Sequence, residues 1–298
     1  GLRGELTDAE SRGKIVEQHY FDLFPSGLLS YAFDEASAHT LSLGYARNIG
    51  RPSFWSLNPV RDQASDYFYQ AGNPNLKPAY TNNFWLTGVV KYRYSLTFWA
   101  TLYKDAMMQG SLPDVQNPDN VLFSTINADR QEMYGATLSL PFQFVKWWTL
   151  NANVSYIYKG DRLLATDPMR WCHCVNLSAN TGFTLPRDFY FNVTYFFQNQ
   201  VSQGEMTIGA LHFLSASLKK TFSGGRWTAS LSANNLLKAA MDLTIDTSAY
   251  RSVTNVEIPA SFGVSLTYNF NVGEMFRTKQ IEKNVDASRF TKSDPAGK

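Results

Sequence analysis

The sequence has 298 residues, a formal net charge of +2, 15% aromatic and 17% charged residues. So small a net charge excludes a typical nucleic-acid binder, and aromatics this abundant beside charges this sparse do not suit an ordinary soluble domain. No stretch reaches the roughly 18 apolar residues of a membrane-spanning helix, and two cysteines, Cys172 and Cys174, form no disulfide framework.

In chain order, the opening GLRGELT already alternates and predicts a strand over residues 1–7. The lack of a starting Met or signal peptide suggests a piece of a longer chain, or a mature chain cut within an element. A long link over 8–18 leads to strands over 20–34 and 37–49; in the second, Leu41, Leu43 and Tyr45 alternate with Ser42, Gly44 and Ala46. The longest link, 50–78, carries Phe54, Trp55, Tyr67, Phe68 and Tyr69 and ends in GNPNLKPAY. There Pro74 and Pro78 fix their own φ and hold Asn73 and Lys77 extended, while Gly72 permits a turn. This stiff elbow delivers the loop into the register of the next strand.

Strands are predicted over 79–92, 94–107, 121–143, 147–159, 171–185, 188–199, 206–222, 226–237 and 254–270, twelve in all. Trp148, Leu150, Ala152, Val154, Tyr156 and Tyr158 share one face; Thr149, Asn151, Asn153, Ser155 and Ile157 share the other. In 256–270 every even position is apolar or aromatic and no odd position is a large hydrophobe. Helical periodicity is absent from segments of this length.

A soluble sandwich also alternates. Its wet face, however, would carry more Lys and Glu than the Ser, Thr, Asn and Gly found here. Small neutral residues suit an enclosed wet lumen, and aromatics near strand ends suit a membrane girdle. Short turns near Glu35, Tyr92, 145–146, 186–187 and 223–225 alternate with long links at 8–18, 50–78, 108–120, 160–170 and 238–252. That asymmetry is the one expected of short periplasmic turns and long outer loops. The fold class is therefore all-β, an antiparallel transmembrane β-barrel in contact with outer-membrane lipid.

Particular motifs also resemble a family. RPSFWSLNP (51–59) followed by GNPNLKPAY (72–80), with DLFPSGLLSY (22–31), MYGATLSL (133–140) and LSANNLL (231–237), resembles the barrel of TonB-dependent outer-membrane receptors. The resemblance is spread over 1–270. It implies the last twelve strands or so of a 22-strand barrel in the bacterial outer membrane, with an internal plug domain, the remaining barrel strands and an inner-membrane energy-coupling complex as partners. A surface lipoprotein is a further partner of such receptors. The implied function is TonB-dependent uptake of a scarce ligand: a siderophore, glycan, peptide or cofactor. The plug and coupling box are missing from this sequence. Ala79 stands where the family usually has an acid, and a tail follows Phe270, the position of the usual terminal aromatic. Residues 271–298 are polar and are read as a disordered periplasmic extension.

Phe54, Trp55, Tyr67, Phe68 and Tyr69 in the outer loop, with Trp99 and Tyr103 on the upper lumen wall, are the candidate ligand residues. Exposed aromatics stack on sugars, flat chelates or peptide side chains; the alternative is packing against neighbouring loops or a plug. Cys172 and Cys174 share a face with His173 opposite, which cannot chelate one metal, and reads as a pair of inert lumen thiols. Asp114, Asp119 and Asp161 form no spaced calcium loop. With no nucleophile–base pair, phosphate loop or zinc motif, the reading is a non-enzyme without metal or cofactor. An adhesin or assembly partner without transport, and a passive porin, are the competing functions.

Overall fold

The computed structural model describes residues 2–11, 14–65, 68–113, 117, 120–246 and 251–270. The predicted tail, 271–298, lies outside the described residues. Strands β1 (Leu2–Ser11), β2 (Lys14–Ala32) and β3 (Thr40–Gly50) precede a short helix, α1 (Phe54–Leu57), and two short strands, β4 (Asp62–Ser65) and β5 (Phe68–Gln70). Then come β6 (Ala79–Val90), β7 (Tyr94–Lys104), β8 (Ala106–Pro113), β9 (Val121–Ala128) and β10 (Arg130–Val145). The chain continues through β11 (Trp148–Arg162), β12 (Arg170–Leu185), β13 (Phe189–Gln198), β14 (Val201–Gln203) and β15 (Met206–Ile208). It closes with β16 (Leu211–Phe222), β17 (Trp227–Asn234), β18 (Ala240–Asp246), β19 (Arg251–Glu257) and β20 (Ser261–Tyr268).

Twelve of these strands form one antiparallel sheet in the order β1-β2-β3-β6-β7-β10-β11-β12-β13-β16-β17-β20. Every barrel strand therefore pairs with its nearest barrel neighbours in sequence, as in an up-and-down barrel wall. Among the described residues β1 pairs only with β2 and β20 only with β17, so the sheet is open at both ends.

Register sorts the two faces. Leu29, Leu43, Leu86, Phe98, Ala136, Tyr156 and Val175 lie opposite one another in a single row across seven strands. One residue along each strand, Ser30, Ser42, Thr87, Thr97, Thr137, Ser155 and Asn176 form the next row. Successive side chains point to opposite faces, so the first row meets lipid and the second lines the lumen. The lumen row is knitted by hydroxyl bonds: Ser30 to Ser42 at 2.8 Å, Thr87 to Thr97 at 2.9 Å and Thr137 to Ser155 at 3.1 Å. Trp99 Nε1 donates to Thr137 Oγ1 at 3.3 Å on the same face. The lipid row stays uncovered; Leu43 is 55% and Phe98 54% exposed. In water such a surface would aggregate, whereas hydrocarbon satisfies it.

Two aromatic belts bound this band. The inner belt runs Tyr94, Phe142, Phe144, Trp148, Phe183, Phe191, with successive ring centroids 4.4–5.9 Å apart. The outer belt holds Tyr158 stacked on Trp171 at 4.4 Å, with the Tyr134 ring centroid 6.5 Å from the same indole. Between Tyr134 and Phe142 the strand climbs about 27 Å at ~3.4 Å per residue. A tilt of ~40° reduces this to about 21 Å, close to the ~25 Å apolar band of outer-membrane barrels.

The short inner turns fall where predicted. Lys91 and Tyr92, and again Arg187 and Asp188, have positive φ at both central positions, the type I′ geometry that matches hairpin twist. The longer turn after β2 is tied by Asp34, whose carboxylate accepts from the backbone N–H groups of Ala38 and His39, both at 2.8 Å.

Four sequence expectations require correction. Residues 8–18 are not a long link: Asp8 opposes His19 and Ala9 opposes Gln18 within the β1–β2 ladder. The predicted strand 121–143 is two strands, β9 and β10, broken at Asp129, whose N–H turns to Leu163 O at 3.0 Å. Likewise 206–222 divides into β15 and β16. The alternating run 256–270 divides into β19 and β20 around Pro259, which has no N–H to give to a ladder. In the last three cases the alternation continues beyond the barrel wall into one of two outer sheets, and a period of two cannot tell one sheet from another.

Candidate functional site

The outer loops build two small sheets above the wall. Four strands from two different loops make the first, in the order β4-β5-β9-β8, with β5 and β9 parallel. The second is β14-β15-β18-β19, again from two loops. The links at 50–78, 108–120 and 238–252, expected to be plain connections, thus carry strands of their own.

The GNPNLKPAY elbow fastens the first sheet to the wall. Gly72 N donates to Asn58 O at 2.8 Å, and Asn73 N to Ser56 O at 2.6 Å, so the elbow holds α1 and its exit. A Cβ at Gly72 would lie 2.6 Å from both Asn58 O and Trp55 O; only glycine allows this approach. On its other side Asn73 Nδ2 donates to Thr125 O at 3.2 Å. Asn127 closes the clasp by accepting from Lys77 N at 2.8 Å and donating to Lys77 O and Asp105 O at 2.9 Å. Leu76 is 1% exposed beneath these bonds, a burial that contributes about 1.5–3 kcal/mol. The elbow is a loop-to-strand turn, and it also sets the position of Trp55.

The second sheet is held from below. Lys159 and Asp161, on the lumen face of β11, form an ion pair at 3.0 Å with side chains only 7% and 5% exposed. Lys159 Nζ also donates to Ser202 O at 2.9 Å; Asp161 accepts from Gln131 Nε2 at 2.8 Å and from Gly204 N at 3.3 Å. Every group here is paired, as so buried a pair requires. The β14–β15 turn then reaches the first sheet, where Ser111 N and Oγ donate to the Glu205 carboxylate at 2.6 and 2.8 Å. In the LSANNLL motif, Asn235 at φ +51° accepts from Ala239 N at 2.9 Å and donates to Ile258 O, pinning both ends of the β18–β19 loop.

A cleft of about 740 Å³ opens between the two sheets. Trp55, Asn58, Gln70, Gln109, Phe123 and Thr125 line it from the first sheet and its loops; Met206, Leu243 and Ile245 face them from the second. Its volume falls within the ~300–1,000 Å³ range of ligand pockets, and a few polar groups stand among a mostly apolar wall.

Of the predicted ligand residues, Trp55 lines this cleft and Phe54 stands beside it, ring centroids 5.9 Å apart and edge-on, both widely exposed. Tyr69 is partly buried in the β5 ladder, opposite Gln63 and Leu122. The backbone of Phe68 pairs with Ser65 and Val121. Tyr67 lies outside the described residues. Trp99 is on the lumen wall, well below the cleft. Tyr103 packs on the buried cluster of Ala106, Met108 and Ala128. Tyr103 is a wall residue here rather than a cleft residue. Cys172 and Cys174 are free thiols on the lumen face, Cys174 buried. Of the three acids weighed for calcium, Asp161 is committed to Lys159 and the other two lie outside the described residues. Among the described residues no group of His, Cys, Asp and Glu is placed to hold a metal.

Gln70, Gln109, Phe123, Thr125, Met206, Leu243 and Ile245 were not legible as site residues. Phe123 and Thr125 sit in what reads as barrel wall, and Leu243 and Ile245 in what reads as a plain link.

Residues 1–270 match the outer membrane protein beta-barrel family. No curated protein matches the sequence. Among solved structures, the copper transporter OprC is 14% identical with a TM-score of 0.60, over 90% of this chain and 44% of that one. The siderophore receptor PirA from Pseudomonas aeruginosa is 18% identical at 0.57, over 86% and 44%. A mutant of the ferric enterobactin receptor PfeA from Pseudomonas aeruginosa is 16% identical at 0.55, over 85% and 41%. At such identities the likeness is one of fold, and this chain spans less than half the length of each. With the lipid-facing rows, two aromatic belts and hydroxyl-lined lumen, the match over 1–270 gives the conclusion that the chain belongs to the outer membrane protein beta-barrel family, which resides in the bacterial outer membrane.

Proposed function

We propose that this chain supplies outer-loop and wall elements of an outer-membrane receptor that captures a scarce small ligand for TonB-dependent uptake. The observation that carries the reading is the cleft between the two loop sheets. Both sheets are fastened to the barrel wall, by the elbow at one side and by the Lys159–Asp161 pair at the other, which is how a preorganised binding site is built. A passive pore needs no such scaffold. The fold likeness to siderophore receptors and a copper transporter supports the same reading. In this reading an internal plug and an inner-membrane energy-coupling complex are the partners, and the aromatic Trp55 wall contacts ligand.

The test uses the full-length protein in cells. Uptake of the ligand that co-purifies with it is expected to stop when the proton gradient is dissipated, and to fall at least tenfold in Trp55→Ala at unchanged surface abundance. Uptake indifferent to the gradient, together with steady conductance in a planar bilayer without ligand, would establish a porin instead. Retained binding with no uptake under any condition would favour an adhesin or assembly barrel.

A further inference from the structure

The charge of the site selects a class of ligand, an inference that rests on the receptor reading above. The lining of the cleft contains no Lys, Arg or His and one carboxylate, Asp62. The long outer links at 50–78, 108–120, 160–170 and 238–252 are nearly balanced, with seven basic residues against eight acidic ones, so the lack of a cation is a property of the lining itself.

What the cleft does offer is amide and hydroxyl chemistry beside apolar surface. Asn58, Gln70 and Gln109 present carboxamides, and Ser56 and Thr125 present hydroxyls. The Gln109 amide nitrogen donates to Thr125 Oγ1 at 3.1 Å. Trp55, Val60, Phe123, Met206, Leu243 and Ile245 provide the apolar side. A carboxamide donates and accepts at once, so three of them match a guest that also does both along its length. A peptide backbone does this, and its side chains would fill the apolar wall. A polyanion would have to give up its hydration beside Asp62 with no cation in the lining to replace it.

We propose that the cleft binds a short peptide that carries no negative charge. Neutral and cationic peptides enter; polyanionic chelates and acidic peptides are rejected.

The probe set is three pools of end-capped pentapeptides, neutral, lysine-bearing and glutamate-bearing, titrated onto purified full-length receptor and read by tryptophan fluorescence. The neutral and lysine pools are expected to quench, with the glutamate pool at least tenfold weaker. Binding of the neutral pool should change less than about twofold when the Debye length is shortened from ~10 to ~3 Å with salt, because no ion pair is made. In Gln70→Lys/Gln109→Lys the glutamate pool should gain at least tenfold. Equal or tighter binding of the glutamate pool to the wild-type protein overturns the proposal, and so does the absence of binding by all three pools. Those outcomes leave the receptor reading intact if Trp55→Ala still abolishes uptake of the co-purified ligand. If Trp55→Ala leaves uptake unchanged, the reading itself fails.

Discussion

Leu138 offers a direct measure of which face meets lipid. It lies on β10 midway between Tyr134 of the outer belt and Phe142 of the inner one, four residues from each, opposite Leu96 and Val154. Arginine on the lipid face at the bilayer midplane costs about 2–4 kcal/mol. Ser139, the next residue, points into the lumen, where its hydroxyl donates to Asn153 Oδ1 at 2.5 Å. Ser139→Arg loses that bond, a net cost of about 0.5–1.5 kcal/mol, and places the guanidinium in a wet space. Leu138→Arg should therefore exceed Ser139→Arg by about 1–3 kcal/mol. The assay is reversible urea unfolding of the full-length barrel in lipid vesicles, with both variants checked for an unchanged denaturant slope. Equal losses, or a larger loss at Ser139, would refute the assignment of faces. The error would then be a one-residue slip in register, which moves every side chain of the strand to the other face.

Three further outcomes follow from the loops and turns. Lys159→Met should destabilise the folded receptor by about 3–5 kcal/mol by stranding the buried Asp161 charge, while Lys159→Met/Asp161→Leu should recover most of that loss in the same unfolding assay; equal losses would mean that the pair is not a buried unit. Gly72→Ala should keep near-normal surface abundance yet weaken ligand binding roughly tenfold, about 1.4 kcal/mol, because the new methyl pushes α1 and Trp55 away; failed assembly instead would make the elbow a folding element. The N–H of Ala38 is the largest influence and holds the Asp34 carboxyl below its usual value of 3.8; desolvation opposes it, and the His39 contacts add to the lowering. A depressed carboxylate pKa gives a contribution present above the unfolded value and lost as pH falls through the folded one. Hydrogen exchange over residues 33–39 should accordingly speed up below about pH 3.8 relative to the other inner turns, and in Asp34→Ala that pH step should vanish.

Much of the wall was legible because a barrel strand states its two environments in alternate residues. Leu41, Leu43 and Tyr45 against Ser42, Gly44 and Ala46 assign faces without a structure, and twelve such runs separated by short and long links imply the up-and-down order. The inner turns at Tyr92 and Arg187 were legible for the same reason: the alternation stops there and resumes at once. Alternation is a property of one strand, however, and says nothing about which sheet the strand joins. Val121–Ala128, Met206–Ile208 and Arg251–Glu257 obey the same period as the wall, yet their ladders belong to the two outer sheets. Trp55 could be found from sequence because an indole in a long loop is conspicuous. Gln109, Phe123, Leu243 and Ile245 could not, because each is an ordinary strand residue until folding brings loops more than a hundred residues apart against one another. The composition of the strands determined the membrane wall, since hydrocarbon outside and water inside act on each residue separately. The cleft was decided only by tertiary structure, through long-range bonds such as Ser111 to Glu205 and Asn73 to Thr125, which no local pattern encodes.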